Sequence, residues 1–272
     1  MYNQIKAYIK YYWKAESKYQ AHSPLLYQLS KFVLEPNTSV VAEQEIEIIR
    51  KNLSSDKSII DFKEYGAGSE ANKQPHKSVA NIAKSSLSRR PQCRQLSRLV
   101  SVYKPENILE MGTSLGVSAL YMAKANPESI IYTLEGDPTV ANIAQSQFDS
   151  LHAKNIELTV GQFNNTLENT LSKMSYVDMA FIDGNHKYAP TLSYFEMILP
   201  YCKPSSILIF DDIHWSKEME EAWLAIQQHQ AVTMSIDLFH MGIAFLSSNV
   251  KVKSHHRLIE WRKKPWKIGL FG

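Results

Sequence analysis

The chain has 272 residues and a net charge of +3 at pH 7, and its 44% hydrophobic content is enough for a sizeable core. The small net charge argues against a general nucleic-acid binder. Two distant cysteines, Cys93 and Cys202, indicate a reducing compartment without a disulfide framework. No apolar run approaches the ~18 residues of a membrane helix, and the N-terminus lacks a signal peptide's apolar stretch, so we expect a cytoplasmic protein.

Residues 1–104 are expected to form a helical region. Its first helix is marked by apolar side chains at helical spacing with lysines between them, namely Ile5, Tyr8, Ile9 and Tyr12. We interpret this helix as packing on its own domain or on a second subunit, and the alternative is a membrane-surface helix. A homodimer through this helix is a further expectation, because the helix is rich in aromatic residues.

Three more helical stretches are predicted, over 23–34, 39–53 and about 80–103. Ser23 is the expected N-cap of the first of these, with Pro24 at its first helical position. The polar, glycine-containing stretch 61–79 is predicted to be a loop that closes over a ligand, because long loops in compact proteins are often functional.

From residue 107 the sequence alternates between strands and helices. The predicted strands are 107–111, 129–135, 156–160, 177–183, 206–211, 231–239 and 242–247. Helices are predicted between them, over about 116–126, 138–151, 164–174, 190–200 and 217–229. Such alternation indicates a parallel sheet covered by helices on both faces. The last two strands are too close in sequence for a helical crossover, so they should pair antiparallel.

The predicted fold is therefore α/β: a doubly wound, Rossmann-like, seven-stranded sheet with an antiparallel last strand, plus the N-terminal helical extension. We expect three parts, residues 1–104, 105–250 and 251–272. The last part is a basic tail with seven Lys or Arg residues against one acid, Glu260. We interpret it as a solvated segment that packs its tryptophans on the body of the protein, and the alternative is contact with phosphates or a membrane surface.

Glycines and an acid follow the first two strands of the predicted sheet. The first strand runs into "EMGTSLGVS", where Gly112 permits a tight turn and Gly116 permits a close approach of the helix to the strand or to a ligand. Glu135 follows the second strand, 23 residues beyond Gly112. Doubly wound nucleotide sites place an acid there, against the ribose hydroxyls.

Polar residues also follow the next three strands. Gln162 has the donor and acceptor groups that a purine edge requires, and Phe163 can stack on a base. "DGNHKY" begins at Asp183, and "DDIHW" begins with the neighbouring carboxylates Asp211 and Asp212. Each acid alone also fits the role of a helix N-cap. Together, at the carboxyl ends of parallel strands, they indicate a ligand site.

These motifs resemble those of class I S-adenosylmethionine (SAM)-dependent methyltransferases over residues 105–247. "LEMGTSLGVSAL" is similar to the family's first motif, E-x-G-x-x-x-G, and "YTLEGD" resembles its second motif. The resemblance implies a SAM-binding domain over 105–250. The implied cofactor-binding residues are Glu110, Gly112, Thr113, Ser114, Gly116, Ser118, Glu135, Gly161, Gln162, Phe163 and Asp183.

"FIDGNHKY" and "ILIFDDIH" resemble metal-dependent small-molecule O-methyltransferases of the catechol and caffeoyl-CoA type, and their cephalosporin-hydroxylase-like relatives. The resemblance implies a divalent cation, Mg²⁺, held by Asp183, Asp211 and Asp212. Catechol-type enzymes have aspartate and asparagine after the fifth strand, whereas both residues here are aspartate. Three carboxylates suit a hard cation.

The catalytic lysine of that family has no single counterpart in this sequence. The candidate bases are His186, Lys187 and His214, and His186 is favoured because the ordinary pKa of histidine lies near neutral pH. For His214 the alternative is a structural role, stabilising the Asp211 and Asp212 pair at the start of a helix.

The expected function is SAM-dependent, cation-assisted methyl transfer to a hydroxyl of a small molecule, with no nucleic-acid partner. One alternative is metal-independent methylation of nitrogen or sulfur, with the acids binding an amine. Another is a SAM-binding protein without catalysis. A third is an RNA methyltransferase that grips phosphates with "WRKKPWK", which strongly salt-dependent RNA binding would reveal.

Overall fold

The computed structural model describes residues 2–21, 23–35, 37–62, 76–246 and 253–264. Most of the predicted ligand-closing loop, residues 63–75, lies outside these ranges. The chain divides into two compact units. The first combines Met1–Ser39 with His186–Gly272, and the second is Val40–Asn185. Within the described ranges, no helix combines the length and the apolar character needed to span a bilayer.

The helices of the described residues are numbered α1 to α10 along the chain. They are α1 Tyr2–Lys14, α2 Pro24–Gln28, α3 Glu43–Ser55, α4 Val79–Ser86, α5 Arg90–Tyr103, α6 Val117–Ala125, α7 Pro138–Ser150, α8 Phe163–Met174, α9 Tyr188–Ile198 and α10 Lys217–Gln228. A π-helical turn, Leu29–Val33, continues α2, and short 3₁₀ turns lie at Leu199–Tyr201 and Trp261–Lys263.

The strands of the described residues are numbered in the same way. They are β1 Ile59–Asp61, β2 His76–Ser78, β3 Asn107–Met111, β4 Ile130–Glu135, β5 Ile156–Val160, β6 Val177–Ile182, β7 Cys202–Asp211, β8 Val232–Asp237, β9 Met241–Leu246 and β10 Ser254–Arg257. The seven strands predicted from residue 107 are present as β3 to β9, which confirms the α/β class.

The second unit is built on four parallel strands in the order β6-β3-β4-β5. Strand β3 lies between two neighbours, and its residues 108–111 are buried, as expected for a central parallel strand covered on both faces. Because these strands are parallel, their carboxyl ends lie at one edge of the sheet. That edge carries the residues after β3, β4, β5 and β6.

The helix predicted over about 80–103 is two helices, α4 and α5, separated by residues 87–89. The physical reason is Pro91, which occupies the first turn of α5. Proline cannot donate the hydrogen bond that a continuous helix needs, and its ring clashes with the carbonyl four residues earlier. The other predicted helices of this unit agree with the structure to within a few residues, and the N-cap Asp137 fixes the start of α7 by accepting hydrogen bonds from Thr139 and Val140.

The first unit contains strands in the order β10-β8-β9-β7. Strands β8 and β9 pair antiparallel, as the short connection between them predicts, and β9 pairs antiparallel with β7. Strand β10 adds a parallel edge to β8 and was not predicted, so the expected number of seven strands is wrong by one. Its sequence, "SHHR", has no alternation of apolar and polar residues, because an edge strand with exposed or half-buried side chains needs none.

Helix α1 packs within the first unit on residues that come about 250 positions later. Tyr11 and Ala15 are buried in a small cluster with Ile259, and the Tyr11 hydroxyl donates to the carbonyl of Leu258. The buried Lys264 donates through Nζ to three carbonyls at the end of α1, those of Tyr12, Trp13 and Ala15. Part of the predicted solvated tail is therefore a structural anchor.

Candidate cofactor site

The turn after β3 depends on glycine at position 112. Gly112 has φ +104°, and a Cβ atom there would lie 2.1 Å from the carbonyl oxygen of Asp183. Only glycine therefore allows the ends of β3 and β6 to approach this closely, which confirms the tight turn predicted from the motif. At Gly116 a Cβ would lie 2.6 Å from the ring of Phe148 on α7, so this glycine allows one helix to pack on another.

Glu110 is a fully buried carboxylate on β3. The Thr133 hydroxyl donates to its Oε2 at 2.6 Å, whereas its Oε1 has no hydrogen-bond partner among the described residues. Burial raises the pKa of Glu110 to about 8, partly countered by hydrogen bonds from Ser118 and Thr133 and reinforced by the nearby charges of Asp183 and Glu135. A buried carboxyl group with a spare acceptor atom suits a ligand that carries donors and positive charge.

Thr113 extends this arrangement by one more hydroxyl. Its Oγ1 lies 2.6 Å from the Oγ1 of Thr133, and Thr113 is itself buried. Since Thr133 donates to Glu110, the Thr113 hydroxyl is placed to donate to Thr133. The predicted binding residue Thr113 therefore supports Glu110 through a hydrogen-bond chain.

Glu135, at the end of β4, is held by backbone amides. The amide of Ser114 donates to Oε2 at 2.8 Å, and the amide of Asp137 donates to Oε1 at 3.0 Å. Burial raises the pKa of Glu135 even though these amide hydrogen bonds act in the opposite direction. Each carboxylate oxygen has two lone-pair sites, so the fixed carboxylate keeps capacity for ligand hydroxyls.

The residues after β5 lie against the end of β6. Gly161 has φ +143° and donates its amide to the carbonyl of Glu135 at 2.8 Å. Gln162 occupies the N-cap position of α8 and is exposed. The ring of Phe163 lies so close to Gly184 that a Cβ on that glycine would be 2.5 Å from it. The strand ends therefore bring Phe163 next to the residue that follows Asp183.

Sequence reasoning did not single out the serines at and near the linker between α4 and α5. Ser88 donates through Oγ to Oδ2 of Asp183 at 3.2 Å, and the Oγ atoms of Ser86 and Ser114 are 2.9 Å apart. Arg50 on α3 donates to the carbonyl of Ser88 at 2.8 Å. The only sequence signal is the polarity of "SSLS" (85–88), which most loops share.

The remaining predicted residues belong to the first unit. Asp211 ends β7 and is buried, and Asp212 follows with φ +52°, donating its amide to the carbonyl of His240 at 2.8 Å. His186 and Lys187 precede α9, with Lys187 at the N-cap position. Their predicted roles as bases stay predictions.

His214 contacts two carboxylates of its own unit. Its Nδ1 lies 2.9 Å from Oε1 of Glu220, and its Nε2 lies 3.1 Å from Oδ2 of Asp237. Burial by itself lowers the pKa of His214, but the hydrogen bonds and charges of Asp237 and Glu220 outweigh it and the pKa is raised. An ion-pair role in the fold accounts for both ring nitrogens, and a catalytic role stays a prediction.

The predicted cation ligands are divided between the two units. Asp183 belongs to one unit, and Asp211 and Asp212 belong to the other. Among the described residues, no group of three or more His, Cys, Asp or Glu side chains is placed to hold a metal ion. A cation held by these three carboxylates stays a prediction, and we derive no chemical step through it.

Comparisons with known proteins match a segment of this chain that begins in strand β3. Residues 109–213 match the profile of a methyltransferase domain family. A catechol O-methyltransferase of Niastella koreensis is 30% identical over 121 residues, which are 43% of this chain and 54% of that protein. A tRNA (guanine-N(7)-)-methyltransferase of Mycoplasma mobile is 28% identical over 88 residues, 32% of this chain and 44% of that protein. The chain thus spans about half the length of these relatives.

Solved structures share the fold at low sequence identity. An O-methyltransferase from Bacillus cereus, in complex with S-adenosylhomocysteine (SAH), has a TM-score of 0.56 at 19% identity, covering 82% of this chain and 97% of that one. An O-methyltransferase from Streptomyces achromogenes, involved in tomaymycin synthesis and in complex with SAM, has a TM-score of 0.53 at 22% identity, covering 60% and 82%. The α/β fold is that of these enzymes.

Proposed function

We propose that this chain transfers the methyl group of SAM to a hydroxyl oxygen of a small molecule. The observation that carries the proposal is the sheet edge of the methyltransferase domain, where Glu110 offers a buried spare acceptor and Glu135 is held in place by backbone amides. The catechol O-methyltransferase relative and the O-methyltransferases of the same fold support oxygen as the methyl acceptor.

Each residue of this edge has a distinct part in the proposal. SAM, when bound, supplies a methyl group on positively charged sulfur. Glu110 offers its spare acceptor atom Oε1 to a donor group of the cofactor, and Glu135 accepts from the ribose hydroxyls. Gln162 has the donor and acceptor groups for the adenine edge, and Gly112 keeps the strand ends close.

The acceptor hydroxyl must lose its proton as its oxygen bonds to the methyl carbon. In that step the carbon–sulfur bond breaks and its electron pair stays on sulfur, which releases SAH. We assign the proton to His186, with Lys187 and His214 as alternatives, because an imidazole accepts a proton efficiently near neutral pH. The protein contributes mainly by holding the two reactants in the attack geometry.

Titration calorimetry of SAM into the full chain tests the cofactor site. We expect Glu135→Ala to weaken SAM binding by at least about tenfold, the cost of losing hydrogen bonds to a charged group. The matched control is Glu128→Ala, an exposed acid in the loop before β4, which should leave the affinity unchanged. Absence of SAM binding to the unaltered chain would refute the proposal.

Acceptor chemistry is tested by incubating the chain with SAM and panels of catechols, other phenols, amines and thiols. Methylated products are identified by mass spectrometry. O-methylated products from the hydroxylated compounds support the proposal. Methylation confined to amines or thiols would replace it with the nitrogen or sulfur alternative, and tight SAM binding without any turnover would favour a non-catalytic SAM-binding protein.

Cation dependence is a finer part of the proposal that rests on the resemblance and on the adjacent Asp211 and Asp212. The test compares turnover in EDTA with turnover after Mg²⁺ is restored, for the unaltered chain and for Asp211→Asn/Asp212→Asn. Activity that is lost in EDTA and restored by Mg²⁺ only in the unaltered chain supports it. Full activity in EDTA would show that turnover needs no cation, and the proposal of methyl transfer would stand without it.

A further inference from the structure

Helix α1 has one packed side and one uncovered side. Tyr11 and Ala15 are buried against Ile259 within the first unit. On the opposite side Ile5, Ile9 and Trp13 are 55%, 52% and 68% exposed. These three residues are four positions apart, so they form a continuous apolar stripe along the helix.

A second, basic stripe runs beside the apolar one. Lys6, Lys10 and Lys14 are all exposed and are also spaced by four residues. Each lysine is one position after an apolar residue, which turns it by about 100° around the helix axis. The sequence of the helix, Tyr2–Lys14, contains no Asp or Glu, so no acid of α1 neutralises the lysine stripe.

The residues that hold α1 in place add to this positive charge. The Tyr12 hydroxyl donates to the carbonyl of Lys263 at 3.0 Å, and Arg262 and Lys263 are both exposed. Lys264 fixes the end of α1 through three hydrogen bonds to its carbonyls. The helix is therefore folded before any partner arrives, and docking it need not cover the cost of forming a helix.

We propose that the uncovered side of α1 docks on an anionic phospholipid surface. Helices that lie in a membrane interface combine an apolar face, often with Trp, with Lys or Arg on the polar side, as this helix does. The apolar stripe would enter the boundary between headgroups and acyl chains. The lysine stripe would contact lipid phosphates, to which a negatively charged surface attracts each lysine.

Charge complementarity favours lipid over a second copy of the chain. Isologous pairing of α1 with itself would bring two lysine stripes together, with no acid on either helix to neutralise them. A phospholipid surface with anionic headgroups supplies negative charge along the whole stripe. The proposal is independent of the methyl-transfer activity.

The test is co-sedimentation of the full chain with vesicles. One set contains phosphatidylcholine alone, and the other contains phosphatidylcholine with phosphatidylglycerol. We expect binding to the anionic vesicles, weak binding to the neutral ones, and a loss of binding as the salt concentration rises. Lys6→Glu/Lys10→Glu should weaken binding by at least about tenfold, and Ile5→Ser/Ile9→Ser should weaken it at every salt concentration.

The matched control is Ile48→Ser/Lys51→Glu on α3, which changes an exposed isoleucine and an exposed lysine elsewhere. It should bind like the unaltered chain, and circular dichroism establishes that every variant is folded. Equal binding to both vesicle types, no binding, or an equal loss in the α3 control would overturn the proposal. A dimer in analytical ultracentrifugation that Ile5→Ser/Ile9→Ser dissociates, without vesicle binding, would assign the surface to a second copy instead.

Discussion

Glu110 makes the stability of the protein depend on pH. Its pKa is about 8 in the folded chain against an ordinary value of 4.5. Between these pH values the folded state holds a proton that the unfolded state has lost, so stability falls as pH rises through this window. The slope for one such proton approaches about 1.4 kcal/mol per pH unit.

Glu110→Gln replaces the carboxyl group by a neutral amide of similar shape and should remove this slope. We expect the free energy of unfolding of the variant, relative to the unaltered chain, to increase steadily from about pH 4.5 to about pH 8. Urea unfolding at intervals across the window measures the difference. Parallel pH curves for the two proteins would contradict the burial argument.

His214 should have the same sign of pH dependence through a different cause. Its pKa is raised because Asp237 and Glu220 outweigh burial. The groups that face it are these two carboxylates and the stacked ring of Phe239, and Arg257 lies 3.5 Å from Asp237. The contribution to stability is complete below the unfolded pKa of about 6.5 and is lost as pH rises through the folded value.

The comparison of the unaltered chain with His214→Gln measures that contribution. We expect the stabilisation relative to the variant to be larger at about pH 5.5 than at about pH 8.5. His152→Gln, in the turn after α7, controls for the general loss of a histidine. A difference that does not change with pH would contradict the ion-pair arrangement.

The sequence predicted some residues of the site and not others, for a physical reason. Gly112 and Glu135 were predictable because a turn between parallel strands and a strand-end acid have fixed spacing along the chain. Ser88 was not predictable, because its contact with Asp183 joins residues 95 positions apart. Nothing in the sequence of a polar loop specifies which distant residue it will contact. The structural role predicted for His214 was with the Asp211 and Asp212 pair, whereas its hydrogen-bond partners are Glu220 and Asp237.

At the scale of elements, α3 positions the linker between α4 and α5. The guanidinium of Arg50 donates to the carbonyl of Ser88 at 2.8 Å, to Oε1 of Glu47 at 2.9 Å and to Sγ of Cys93 at 3.3 Å. We expect Arg50→Met to lower the free energy of unfolding by about 1.5–3 kcal/mol, the usual cost of losing hydrogen bonds to a charged group. Because Ser88 contacts Asp183, SAM binding should weaken as well.

Urea unfolding and SAM calorimetry measure the two effects of Arg50→Met. Arg90→Met is the matched control, since Arg90 is mostly exposed and pairs with Glu43, which also lies on α3. A purely structural role for Arg50 would lower stability and leave the SAM affinity unchanged. That result would remove α3 from the description of the cofactor site.

Lys264 is the element-scale anchor of α1. Lys264→Met keeps the side-chain length but leaves three carbonyls of α1 without their donor. We expect a loss of about 1–3 kcal/mol in unfolding free energy and faster amide hydrogen exchange in α1. Lys263→Met, an exposed neighbour, should change neither quantity; equal exchange in both variants would show that α1 is held by its apolar contacts alone.

At the scale of the whole molecule, SAM should stabilise the chain against unfolding by mass action. At about 100 times its dissociation constant, a ligand that binds only the folded state contributes about 2.7 kcal/mol. Thermal unfolding with and without SAM measures the shift. At the same SAM concentration the shift should be smaller for Glu135→Ala than for Glu128→Ala, and equal shifts would argue that SAM binds elsewhere.

The α/β architecture was predictable because long stretches of alternating strands and helices constrain topology strongly. The packing of α1 was not, because apolar periodicity shows that a helix has a face to bury and does not identify what covers it. The edge strand β10 and the buried Lys264 lie in a stretch whose composition indicates a solvated tail. Strand β10 pairs with β8, and Lys264 depends on partners about 250 residues earlier in the chain.

The residues that anchor α1 are synthesised long after α1 itself. Tyr12 and Lys264 are 252 residues apart, and a ribosome that adds about 5–20 residues per second needs roughly 13–50 s to reach the second after the first. During that interval α1 lacks the residues that will cover its packed side. While the rest of the chain is translated, α1 is therefore a basic, aromatic segment exposed on all sides. A chain truncated before Lys264 would never gain the anchor of that segment.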